Sequence, residues 1–226
     1  MGVQMSENAG SVRIARLVTG PIIITLVITL LRLEGELHQW SSVLFNRNAG
    51  GLGAIVGIAW LPFIFGPYFA AKLVGAGERP ASNGRVLLFG ALALIVTIGG
   101  GILGSQSAPG VLSTNAVLGL LLMVASVVVA GMAWGKLGTT LLAYAFGARI
   151  PVAIVMFYAM AGNWGTHYDA LPGNYAGPTD LMGKYIAEGL IPQFIAWIAY
   201  TMIIGTLAAG VYMLIAHRPR AVAQPA

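Results

Sequence analysis

Six stretches of this chain are each about twenty residues long and apolar almost from end to end, and no other feature narrows its folding choices so much. Windows of about nineteen residues place them at 14–33, 51–74, 85–104, 111–134, 138–161 and 192–216. Wound as a helix rising about 1.5 Å per residue, each matches the ~30 Å hydrocarbon core of a bilayer. A helix also satisfies its own backbone N–H and C=O groups, which lipid demands. Barrel strands would alternate polar and apolar residues, and these runs do not. Of 226 residues, 58% are hydrophobic and 8% charged, whereas a soluble domain carries about 25% charged residues. The expectation is an all-α integral membrane protein of six transmembrane helices. It forms one domain over residues 1–216, with a short cytoplasmic tail at 217–226. The polar opening "MGVQMSENAG", with no A-x-A cleavage site behind the first run, reads as the lead-in to a retained span.

Sidedness follows from the basic residues. Arg13, Arg16, Lys72, Arg79, Arg85, Lys136, Arg218 and Arg220 fall on one side, against Arg32, Arg47 and Lys184 on the other, with Arg149 inside a span. The richer side is expected to be cytoplasmic, which puts both termini inside and the protein in the plasma (inner) membrane. This also accounts for the formal charge of +5. No Lys/Arg-rich run with interleaved aromatics appears, so the expected partner is membrane lipid and not nucleic acid. A homo- or hetero-oligomer is compatible with the sequence.

Three connections, "GERPASNG", "SQSAPG" and "WGKLG", are short and turn-like, whereas two on the outer side are long, at 34–50 and 162–191. Each is expected to hold a short interfacial helix. In the second, Leu181, Met182, Tyr185, Ile186 and Leu190 recur at helical spacing behind Thr179 as N-cap; in the first, Leu37, Trp40 and Leu44 do the same.

The chain has no cysteine, which removes disulfides, thiolate metal sites and Cys nucleophiles. No G-x-S-x-G, H-E-x-x-H, P-loop or dinucleotide fingerprint is present. What remains is a concentration of polar residues on the outer side. Glu34 and His38 are four apart and share a face of a continued helix, while Glu36 lies beside them. The second loop supplies Trp164, His167, Tyr168 and Asp169. Histidines next to carboxylates suit acid/base chemistry or, with a further ligand, a divalent metal. They also suit hydrated headgroup-level residues with Trp40 and Trp164 as interfacial anchors. Glu34, His38, His167 and Asp169 are therefore the candidate catalytic residues, and Glu36, Trp164, Tyr168 and Arg149 the candidate substrate contacts. Arg149 is the sharpest single signal, because an arginine near the middle of a span costs roughly 2.5–3.5 kcal/mol on insertion scales. It is expected to be buried and paired, or to hold an anionic ligand.

Three readings follow. One is an enzyme at the outer interface acting on a lipid-linked or amphiphilic anionic substrate. The second is a small-solute transporter with Arg149 as the anion site, and the third an accessory subunit of a larger complex. The first requires the two outer loops to converge above Arg149, and hence spans one and five to be neighbours.

Overall fold

The computed structural model describes residues 13–51 and 53–216; the tail at 217–226 lies outside them. Every regular element among these residues is helical. The helices are α1 (Ile14–Leu37), α2 (Leu61–Gly75), α3 (Asn83–Gly104), α4 (Thr114–Gly131), α5 (Gly135–Gly162) and α6, continuous over Leu181–Ala216. Five of them, all but α2, are long and apolar enough to cross a membrane, and so are compatible with a multi-pass membrane protein.

The second apolar stretch behaves differently from its expected span of 51–74. Its helix begins only at Leu61, with Pro62 in the first turn, where a proline's missing N–H costs nothing. Before it, Gly50, Gly51 and Gly53 sit at φ +79°, +70° and +87°, a left-handed conformation that only glycine adopts freely. The glycines serve an irregular segment, not a helix–helix contact. The two long loops differ as well. Among the described residues no helix forms between α1 and α2; the chain there turns on itself, with Phe45 buried flat against Gly35. The helical residues after 180 are the first turns of α6 itself, capped by the Asp180 carboxylate on the Gly183 N–H at 2.8 Å. Thr179 does not cap it.

Helix α6 is the centre of the bundle, packed against α2, α3, α4 and α5, while α1 lies mainly on α5. Gly66 lets the α2 backbone approach that of α6 at Gly205 so closely that a Cβ on Gly66 has no room, while a Cβ on Gly205 would strike the Leu141 side chain of α5. Phe65, Phe69 and Tyr144 fill the space between α2 and α5, with edge-to-face rings 5.2 and 5.7 Å from Tyr144.

Helix α1 shows how sequence decides orientation. Thr25, Thr29, Arg32 and Glu36 recur at helical spacing and are all buried, while Ile23, Ile24, Val27, Leu30 and Leu31 are exposed. The helix turns its polar stripe inward and its apolar face outward, the reverse of a helix in a soluble protein. Thr25 meets the Tyr144 hydroxyl at 2.9 Å, tying α1 to α5.

Candidate functional site

The inward stripe of α1 ends in a network that the second long loop completes. Arg32 Nε donates to Glu36 Oε1 at 2.7 Å, its Nη1 to the Gly51 carbonyl at 2.7 Å and its Nη2 to the Asn46 carbonyl at 2.8 Å. Arg32 thus compensates the charge of Glu36 and straps the first loop to α1. The Glu36 carboxylate, fully buried, also accepts the backbone N–H of His167 at 2.8 Å and faces His167 Nδ1 at 2.6 Å. Next along the chain, Tyr168 donates to the Thr29 carbonyl at 3.1 Å, so the loop after α5 folds back into the bundle. Burial raises the Tyr168 phenol above its ordinary value and keeps it a donor.

With Nδ1–H given to Glu36, His167 carries its free lone pair on Nε2. Burial pushes the imidazole below its ordinary value, and the positive charge of Arg32 acts in the same direction, outweighing the pull of Glu36. His167 is therefore a neutral base with a fixed tautomer. Its ring edge lies so near Gly51 that a Cβ there would come within 2.7 Å of Cδ2.

His167 and Arg149 open onto one cavity of about 120 Å³. It runs along α5 past Arg149, Val152 and Met156, which share a face at spacings of three and four and span about 10 Å of helix. Gly50, Gly51, Ile58 and Ala59 close one side, and Glu188, Pro192, Gln193 and Trp197 of α6 close the other. This part of α6 contains two π-helical turns, Tyr185–Leu190 and Pro192–Ala196. Such turns are rare, and they re-aim side chains at sites of function.

Arg149 is 4% exposed. Its Nη1 donates to Gln193 Oε1 at 3.3 Å, and its guanidinium carbon lies 4.6 Å from the centre of the Trp197 ring. The Gln193 amide points its own N–H at the Met156 sulfur at 3.4 Å. Nε of Arg149 is buried with no partner, and among the described residues no carboxylate lies within 4.0 Å of the guanidinium.

The remaining candidates stand elsewhere. Glu34 and His38 pair with each other at 2.8 Å on the surface, and His38 stacks on Trp40. Asp169 accepts the N–H groups of Gly165 and Thr166 and the Thr166 hydroxyl, and so holds the turn that presents His167. Trp164 is exposed and its indole lies against Gly162. Glu36 does not itself line the cavity; it lies behind His167. Among the described residues no group of three or more His, Asp or Glu side chains is placed to hold a metal ion. Arg32, Gln193 and Trp197 join the site without having been candidates, and Glu188 lines the cavity too. Arg32 and Glu36 were legible as an i,i+4 pair in register with Thr25 and Thr29, and Gln193 as a lone amide in an apolar helix. Comparison with protein-family models, with curated proteins and with solved structures gives no match.

Proposed function

We propose that the protein is a membrane enzyme acting at the outer interface on an amphiphilic anionic substrate, with Arg149 holding the anion and His167 as general base. One observation carries this reading: a buried cation without a carboxylate partner and a histidine oriented by a carboxylate face the same small cavity. Glu36 holds the imidazole in one tautomer and stabilises the imidazolium that forms when Nε2 takes a proton from a water or hydroxyl nucleophile. The apolar flank of Val152 and Met156 keeps bulk water from Arg149 and strengthens its hold on the anion. The test is turnover of a panel of acyl and phosphoryl esters of amphiphilic anions by purified protein. His167→Gln and Glu36→Gln should abolish kcat, and Arg149→Gln should raise KM. Full turnover by His167→Gln sinks the proposal.

In this reading the chain crosses the plasma membrane six times with both termini cytoplasmic. At about 22 Å, α2 is short for a crossing, and the irregular 53–60 segment before it completes it. Such backbone is tolerated at membrane depth where it lines a cavity, as Gly51, Ile58 and Ala59 do. Single cysteines at Ser41, Ser82 and Asn174, all exposed, test this in the cysteine-free chain. An impermeant thiol reagent on intact cells should label positions 41 and 174, and labelling at 82 alone reverses the orientation.

A transport reading draws on the depth of Arg149 along α5 and on the π-helical turns of α6 beside it. Uptake of a labelled organic anion into proteoliposomes, lost in Arg149→Gln and retained in His167→Gln, favours it over catalysis.

A further inference from the structure

We infer that the cavity binds a carboxylate monoanion, held side-on by Nε and Nη2 of Arg149. This names the anionic group of the substrate proposed above and rests on that reading's assignment of Arg149. Three observations converge on it. The first is which edge of the guanidinium is free. Nη1 is engaged by Gln193 and one face by Trp197, while Nε is buried and unpartnered. Nη2 makes no hydrogen bond among the described residues. Two parallel N–H groups on a planar cation match the two oxygens of a carboxylate.

The second is charge. Arg32 also lines the cavity, but all three of its nitrogens are occupied, and Glu36 compensates its charge. Glu188 lines the cavity as well, so the lining offers at most one uncompensated positive charge. With Glu188 protonated, a monoanion is balanced by it. A dianionic phosphate would keep a negative charge in a water-poor cavity, where an unpaired charge is costly.

The third is size. A cavity of about 120 Å³ is close to the roughly 150 Å³ that admits a benzene-sized molecule. Behind the carboxylate there is room for a short apolar body against Ile58, Val152 and Met156. The ligand is therefore a short carboxylic acid, or the carboxylate end of a longer chain whose remainder leaves the cavity.

Calorimetric titration of the purified full chain in detergent tests this at about pH 8, where a phosphate monoester is dianionic. The probes are butanoate, decanoate, methyl butanoate and butyl phosphate. Butanoate or decanoate should bind at least tenfold more tightly than methyl butanoate and butyl phosphate. Decanoate above butanoate assigns the site to a chain end, and equal affinities to a free short acid. Gln193→Glu, which sets a competing carboxylate beside Arg149 while supplying its missing counter-charge, should stay folded and lose carboxylate binding at least tenfold. Arg149→Lys, which keeps the charge without the fork, should lose a similar factor. If butyl phosphate binds in an Arg149-dependent way and neither carboxylate does, the carboxylate assignment falls and the anion site stands. If Gln193→Glu weakens no probe, both fall.

Discussion

Glu34–His38 and Glu36–His167 are two glutamate–histidine pairs that begin two residues apart on one helix, with contacts of 2.8 and 2.6 Å. The first pair leaves its histidine and glutamate side chains 62% and 56% exposed, with water as the alternative partner. The second leaves them 13% and 0% exposed, with Arg32 as a third member and the His167 backbone as a fourth contact. A short contact says little about what a pair can do. Desolvation and additional partners turn the same two side chains from a solvated surface feature into a fixed tautomer facing a cavity.

The comparison is broken most easily at the carboxylates. Glu36→Ala leaves the Arg32 guanidinium and the His167 N–H groups buried without their acceptor, and is expected to cost about 3–5 kcal/mol. Glu34→Ala should cost under about 1 kcal/mol. Denaturant titration in mixed micelles measures both, and equal costs would mean that the buried network contributes no more than the surface pair. Replacing both charges by apolar side chains, Arg32→Met with Glu36→Leu, should recover only the part of that cost due to an unpaired charge, since the His167 N–H groups and the Gly51 and Asn46 carbonyls still lose their partners. It should not recover catalysis, because nothing then fixes the His167 ring.

Much of the fold could be read from hydropathy, since a run as apolar as 86–104 has no stable choice in lipid but a helix. Local backbone chemistry was harder to read. Gly51 and Gly53 look as apolar as the rest of their window, yet with positive φ they belong to an irregular segment and α2 begins only at Leu61. In the site, the depth of Arg149 and its position on α5 were visible, because an ionised group in an apolar run needs a reason. Sequence could not rank Glu36 over Glu34. The deciding contact joins residues 131 positions apart, and it depends on a turn held by Asp169 that folds the loop inward.

The tightness around His167 separates two neighbouring glycines. Gly50 and Gly51 both have positive φ, but a Cβ at Gly50 meets nothing within 4 Å, whereas one at Gly51 strikes the His167 ring. Gly50→Ala should cost the left-handed strain alone, roughly 1–2 kcal/mol. Gly51→Ala should cost about 1–3 kcal/mol more through overpacking, and should displace the imidazole. Identical thermal stabilities for the two variants would show that the ring yields freely and that the first loop does not hold it.

The buried histidine should also mark the pH dependence of stability. The folded-state value of His167 is lowered from 6.5 by burial, so between the folded and unfolded values the unfolded chain binds more protons. Its contribution is present above about pH 6.5 and is lost as pH falls through that value toward the folded one. Unfolding titrations from pH 8 to pH 5, pH values chosen on the order of that window, should show stability falling with acid, and His167→Gln should flatten that part of the slope. An unchanged slope in the variant would mean that His167 is as well protonated folded as unfolded, against a role as neutral base.

The smallest effect belongs to the surface pair, and its smallness is the claim. Glu34 and His38 lie one helical turn apart at the end of α1. Their attraction works through water and is opposed by the entropy of holding two mobile side chains, so a double-mutant cycle of Glu34→Ala and His38→Ala should give a coupling of about 0.2–0.5 kcal/mol. It should shrink further with added salt, which screens exposed charges over about 10 Å at 0.1 M. Neither substitution should alter turnover, because neither side chain lines the cavity. A coupling above about 1.5 kcal/mol, or a loss of activity in His38→Ala with Glu36 and His167 intact, would mean that the exposed pair is covered in the working protein. The C-terminal end of α1 would then be a contact surface, and the accessory-subunit reading would gain what the buried network now denies it.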